Sequence, residues 1–142
     1  EYYFRGGYPQ LSQEEVLNYC ADALCRCHHA GVRVIRLGLH DTPSLREHLL
    51  AGYFHPAYGE LAESHLYLRQ LKEAAADCGK PELFVETAPR TMSKVLGQHG
   101  CNRKALAEQG VSLRVRENAA VAAGTILTEQ QVYEIFSERN QR

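Results

Sequence analysis

Residues 94–115, KVLGQHGCNRKALAEQGVSLRV, carry the pattern on which the fold turns. Gly97 and Gly100 bracket Gln98 and His99, and amphipathic helical spacing lies on both sides: Thr91 to Leu96 before the turn, Asn102 to Gln109 after it. Working outward, Gly79 and Pro81 stop whatever helix precedes them, and Leu83, Phe84 and Val85 read as a strand. Val111 to Val115 reads as a second strand. The order is β-α-α-β, with Val95, Leu96, Leu106, Leu113 and Val115 placed to build a small core.

This unit resembles a KH domain. In that family a Gly-x-x-Gly turn between two helices lets a nucleic-acid backbone approach closely, and the following helix offers its amino-terminal amides and nearby basic groups. The resemblance implies a nucleic-acid-binding set of Lys94, Gly97, Gln98, His99, Gly100, Arg103 and Lys104. One departure stands out: the two central loop residues are usually basic in the family, whereas here only His99 can carry charge, and only in part. The alternative is a structural α+β unit in which Gly97 is a helix C-cap and Gly100 a turn residue.

Charge distribution bears on the same segment. The whole chain of 142 residues has a formal net charge of −1, but Arg90 to Arg116 holds six basic residues (Arg90, Lys94, Arg103, Lys104, Arg114, Arg116) against the single acid Glu108. That stretch is +5 and the remainder −6. A basic patch on a mildly acidic body is the footprint of a site for an anionic partner, though a solvated helix and strand also account for it. The near-neutral total excludes a uniformly basic protein.

Upstream, residues 1–10 are aromatic and glycine-rich and read as an irregular lead-in. Ser12 and Glu15 form a capping box for a helix with Leu17, Cys20, Leu24 and Cys27 on one face, ended by Gly31. Val32 to Leu39 alternates β-branched and apolar residues with Arg36 and Gly38 and is predicted to be a strand, Gly38 marking a close approach or a bulge. Thr42 and Pro43 open a short helix, with Ser44 beside them as an alternative cap, and Gly52 closes it. Ala57 to Cys78 is predicted to be a long helix, with Leu61, Leu68, Leu71, Ala75 and Cys78 as an apolar stripe and solvent behind it. After Val115, Ala119 to Leu127 supplies one more strand, and Thr128 caps a final helix containing Val132, Ile135 and Phe136.

Taken in succession, YYFRGGYPQLSQEEVLNYC, VRVIRLGLHDTP, GYFHPAYGELAES and APRTMSKVLGQHGCNRKAL resemble the carboxy-terminal region of a radical S-adenosylmethionine protein family. These proteins are similar to the radical domain of the Elongator catalytic subunit, which modifies tRNA wobble uridines, and many are labelled oxygen-independent coproporphyrinogen III oxidase. The resemblance implies residues 1–80 as the end of a partial barrel with linking helices and residues 81–142 as a KH-like domain. It implies an upstream barrel as partner, with a [4Fe–4S] cluster and S-adenosylmethionine held there, and tRNA as a possible substrate. The cluster's Cys-x3-Cys-x2-Cys triplet is absent, since Cys20, Cys25 and Cys27 have the wrong gaps. No cofactor is therefore expected on these residues.

The sequence starts at Glu1 with Met92 as its only methionine, and is expected to be a piece of a longer protein. Five cysteines make a poor disulfide framework, and neither a signal peptide nor a ~20-residue apolar span is present, so a cytoplasmic, non-membrane location is expected. Cys25, Cys27, His28 and His29 are ligand types, but adjacent histidines on a helix point ~100° apart and a metal is not expected there. His40 with Asp41, and His55 with Glu60 and Glu63, are acid-base groups at loop and helix starts.

The fold expected is thus α/β (α+β): a helix-strand piece and long helix, then a KH-like β-α-α-β unit with an added strand and a carboxy-terminal helix. The function expected is that of an accessory, substrate-positioning domain of a radical enzyme. A structural domain closing the site of a porphyrin-precursor oxidoreductase is the alternative, and a small enzyme using His40, His55 and Glu60 a third reading.

Overall fold

A computed structural model describes residues 4–8 and 11–137. Its first element is α1, Gln13–His29, and both halves of the capping box form: Ser12 Oγ accepts from the Glu15 amide at 3.2 Å, and the Glu15 carboxylate accepts from the Ser12 amide at 2.7 Å. The short helix α2, Pro43–His48, is capped by Thr42 Oγ1, which accepts from the Leu45 amide at 3.1 Å. It ends on Leu49 in extended conformation, well before Gly52. The long helix α3, Tyr58–Cys78, stops where Gly79 turns left-handed at φ 62° and Pro81 follows.

Four strands form one mixed sheet in the order β2-β1-β3-β4. β1, Glu82–Thr87, runs parallel to β2, Ser112–Glu117, with Glu82 opposite Ser112 and Thr87 opposite Glu117. A parallel pair needs a crossover, and it is supplied by α4, Met92–Leu96, a tight turn at Gln98–Gly100, and α5, Cys101–Glu108. β3, Thr125–Leu127, and β4, Val132–Glu134, add antiparallel to the other edge. The β-α-α-β order read from the sequence is present, within an α/β fold.

The core is continuous across residue 80. Ala21 and Cys25 from α1, Leu66, Tyr67 and Leu71 from α3, Leu83 and Val85 from β1, and Val95 and Leu106 from the crossover helices form one buried cluster. α3 lies at its centre, against α1 on one side and against the sheet and crossover helices on the other. This corrects the expectation of a solvent-backed helix with a single stripe. Leu61 and Leu68 are only half-buried, whereas Ala62, Leu66, Tyr67, Gln70, Leu71 and Ala74 are buried, because the helix has neighbours around more of its circumference.

Two further expectations are corrected. Val32 to Leu39 is not a strand: no other strand lies beside it, so its alternating pattern has no ladder to join, and Ile35 is 88% exposed. The segment after Thr128 is not a helix. Thr128 caps a turn, with its amide donating to the Gln131 carbonyl at 2.9 Å, and Val132 to Glu134 pairs with β3 instead. Tyr133 and Ile135 are buried by alternation while Val132 faces outward. The strand expected from Ala119 to Leu127 is shorter than read, beginning at Thr125. Residues 1–3, 9–10 and 138–142, parts of the expected lead-in and final helix, lie outside the described residues.

Candidate functional site

The glycine turn owes its shape to two residues. Gly97 has φ 78° and ψ 160°, a region reserved for glycine, and a Cβ there would come within 2.9 Å of the Asn102 backbone nitrogen and collide with the Cys101 sulfur. Asn102, 2% exposed, sits directly beneath. Its side-chain NH2 donates to the Ser64 carbonyl at 2.9 Å, the Val95 carbonyl at 3.0 Å and Ser64 Oγ at 3.1 Å. Ser64 Oγ in turn donates to the Lys94 carbonyl at 2.8 Å. The last carbonyls of α4, which no intrahelical amide can reach, are therefore closed by side chains from α5 and α3. That network pins the turn against the long helix.

Gly100 differs from Gly97. It is left-handed at φ 72°, but a Cβ added to it would meet no atom within 4 Å. It is the residue before α5, whose amino end has no side-chain cap. His99 also has positive φ, 53°, so the exposed pair Gln98 and His99 rides on a turn with three left-handed positions close together.

Between this turn and the start of α3 lies a cavity of about 340 Å3. Six of the seven residues expected to form a site line it: Lys94, Gly97, Gln98, His99, Gly100 and Arg103; Lys104 is exposed outside it. His55 and Glu60 join them, a meeting that no spacing in the sequence reveals. His55 Nδ1 accepts from the Ala57 amide at 3.1 Å, so in the neutral ring the proton sits on Nε2. That N–H faces the Gln98 side-chain amide at 3.4 Å and pairs with it only if the amide turns its oxygen inward, leaving the Gln98 NH2 to donate elsewhere.

Electrostatics trim the basic segment. Lys94 Nζ pairs with Glu63, Arg114 with Glu82 and Arg116 with Glu86. Burial alone would lower the Lys94 pKa, but the hydrogen bond and charge of Glu63, with Glu60 behind, outweigh it and hold the pKa above its ordinary value. The two arginines belong to the open face of the sheet, where Arg116 also stands over the Phe84 ring at 5.4 Å. Arg90, Arg103 and Lys104 have no ion-pair partner among the described residues. Only Arg103 of these lines the cavity.

The remaining candidates do other work. Asp41 pairs with Arg46, and Arg36 lies 3.5 Å from His40, away from the cavity. His28 stacks on Phe136 at 4.3 Å between ring centres, and His29 Nε2 lies 2.7 Å from the Phe136 carbonyl, so α1 uses them to hold the chain after β4. No group of three or more metal-ligating side chains gathers among the described residues. The α1 cysteines do not fit an iron–sulfur cluster: Cys25 is buried, its sulfur 3.9 Å from the Ile135 carbonyl, and burial pushes the Cys20 and Cys25 thiols up rather than toward the thiolate a cluster needs. No described helix is long and apolar enough to cross a membrane.

Comparison with known proteins finds no matching family model, no significantly similar curated protein and no significantly similar solved structure.

Proposed function

We propose that this chain is an accessory unit that positions a nucleic acid, with tRNA the favoured class, against the active site of a radical S-adenosylmethionine enzyme lying upstream in a longer protein. The observation that carries the reading is the open, uncapped amino end of α5 behind Gly100, with Arg103 unpaired beside it. A helix start without a side-chain cap, a glycine that lets a backbone approach and an unneutralised arginine together suit a phosphate, the Cys101 amide alone being taken by the Gln98 carbonyl. Gly97 takes the structural role and Gly100 the contact role. The iron–sulfur cluster and S-adenosylmethionine belong, in this reading, to the upstream part.

The upstream barrel finds its contact surface on the other half of the chain. Ile35, Leu39, Leu50 and Tyr53 are each at least half exposed, and Val32 to Leu39 is extended without a ladder partner. Exposed apolar side chains gathered in one segment suit a surface that a neighbouring body covers. A second reading draws on the same region: a half-open apolar cavity of about 560 Å3, lined by Leu37, Leu39, Leu49, Phe54 and Tyr58, favours a domain that closes over a small molecule.

The test is fluorescence-anisotropy binding of mixed tRNA at several salt concentrations, for the parent and a variant carrying Gln98→Asp and His99→Asp, both checked for folding by circular dichroism. Affinity that falls steeply with salt in the parent and is lost in the variant supports the nucleic-acid reading. Binding no tighter than ~10⁻⁴ M in either overturns it in favour of the small-molecule alternative.

A further inference from the structure

The cavity beside the glycine turn is not uniformly cationic, and that has a consequence for what enters it. Glu60 lines it and makes no hydrogen bond or ion pair among the described residues, while the one lysine present, Lys94, is neutralised by Glu63. A phosphate placed against Glu60 would face a carboxylate. One held at Gly100 and Arg103, which line the same cavity from the turn side, would instead meet an arginine without an ion-pair partner among the described residues. The Glu60 side suits a neutral group rich in N–H donors.

We infer that the cavity takes a single guanine base of a single-stranded RNA, with its N1–H and N2 amino group on the Glu60 carboxylate and its O6 on the Gln98 NH2. The inference rests on the nucleic-acid reading above and adds the base to it. Guanine is singled out by chemistry: it alone among the four bases presents two adjacent N–H donors on one edge, matching the two oxygens of a carboxylate. The Gln98 NH2 is the donor left over once His55 Nε2–H occupies the amide oxygen, and it complements the acceptor next to those donors. A volume of about 340 Å3, at the low end of small-molecule sites of ~300–1,000 Å3, holds one base and not a folded strand. Reading the Watson–Crick edge of a splayed base is the ordinary route to RNA specificity.

The experiment uses fluorescein-labelled uridine hexamers carrying one central guanosine or one central inosine, titrated by anisotropy into the parent chain, a Glu60→Gln variant and the Gln98→Asp/His99→Asp variant. Inosine keeps N1–H and O6 and lacks only the N2 amino group. The parent is expected to bind the guanosine hexamer about tenfold more tightly than the inosine hexamer. Glu60→Gln is expected to lose most of that preference while still binding both, since Glu60 is exposed and its substitution leaves the core intact. Equal binding of the two hexamers by the parent, or a preference that survives in Glu60→Gln, overturns the base assignment and leaves the loop reading standing if the loop variant still loses affinity. Absence of binding to either hexamer overturns both.

Discussion

The Asn102 side chain donates to the Ser64 carbonyl across 2.9 Å, tying the helix after the glycine turn to the middle of the long helix. The same NH2 reaches the Val95 carbonyl, so one buried amide fixes three elements at once. Replacing it leaves buried carbonyls unsatisfied in addition to losing bonds. Asn102→Ala is expected to destabilise the fold by about 2–4 kcal/mol, read from urea unfolding. A loss under about 0.5 kcal/mol would show that the network is ornamental.

The two glycines of the turn are expected to separate. Gly97→Ala must place a Cβ against the Asn102 nitrogen and the Cys101 sulfur in a backbone region closed to alanine, and is expected to unfold the unit or cost several kcal/mol. Gly100→Ala meets open space and carries only the left-handed backbone cost of about 1 kcal/mol, so it stays folded. It is nonetheless expected to weaken RNA binding, because its methyl group projects where a phosphate approaches. Equal stability losses for both would contradict the division of roles.

Acid sensitivity is expected to trace to His65. Burial, reinforced by the Arg69 charge, lowers its pKa, while Nε2 stays within 2.8 Å of Asn18 Oδ1. The unfolded chain then binds a proton that the folded chain refuses, so stability is full above the unfolded value of ~6.5 and declines as pH falls from there toward the lower folded value. His65→Gln is expected to flatten that part of a plot of urea midpoint against pH. The partly buried Asp41 and Glu86, whose pKa values are lowered by Arg46 and by Asn118 with Arg116, act only at more acidic pH. An unchanged slope in the variant would place the sensitivity elsewhere.

Val32 to Leu39 is expected to behave as an unpaired segment in the isolated chain. Its amides beyond Val32, whose own N–H donates to the Cys27 carbonyl at 2.8 Å, should exchange with solvent far faster than those of β1, and Ile35→Lys should shift stability by no more than about 0.5 kcal/mol, since 88% of that side chain is exposed. Strong amide protection would mean that the stretch pairs with a second copy.

What the sequence made legible follows from how local each signal is. The Ser12–Glu15 box, the Thr42 cap, the Gly79 stop and the crossover around Gly97 and Gly100 are decided by near neighbours, and all are found where expected. Val32 to Leu39 has strand composition, but a strand exists only with a partner, and none lies beside it here. Val132, Ile135 and Phe136 fit helical spacing as well as alternation over so short a run, and pairing with β3 decided between them. The role of Asn102 is not local, because its contacts depend on Ser64, far away in sequence. Its one local signal was an asparagine at the start of a helix immediately after glycine and cysteine. His55 and Glu60 were visible as chemistry, but only the packing of α3 against the turn brings them to Gln98.

The most direct measurement is an amide-resolved NMR titration of the isolated chain with a short single-stranded RNA at low salt. The account predicts that the perturbed amides cluster at Gly97 to Arg103 and the start of α3, with β4 and α1 unmoved. Perturbations centred instead on the apolar surface from Leu37 to Phe54, or none at all, would contradict it.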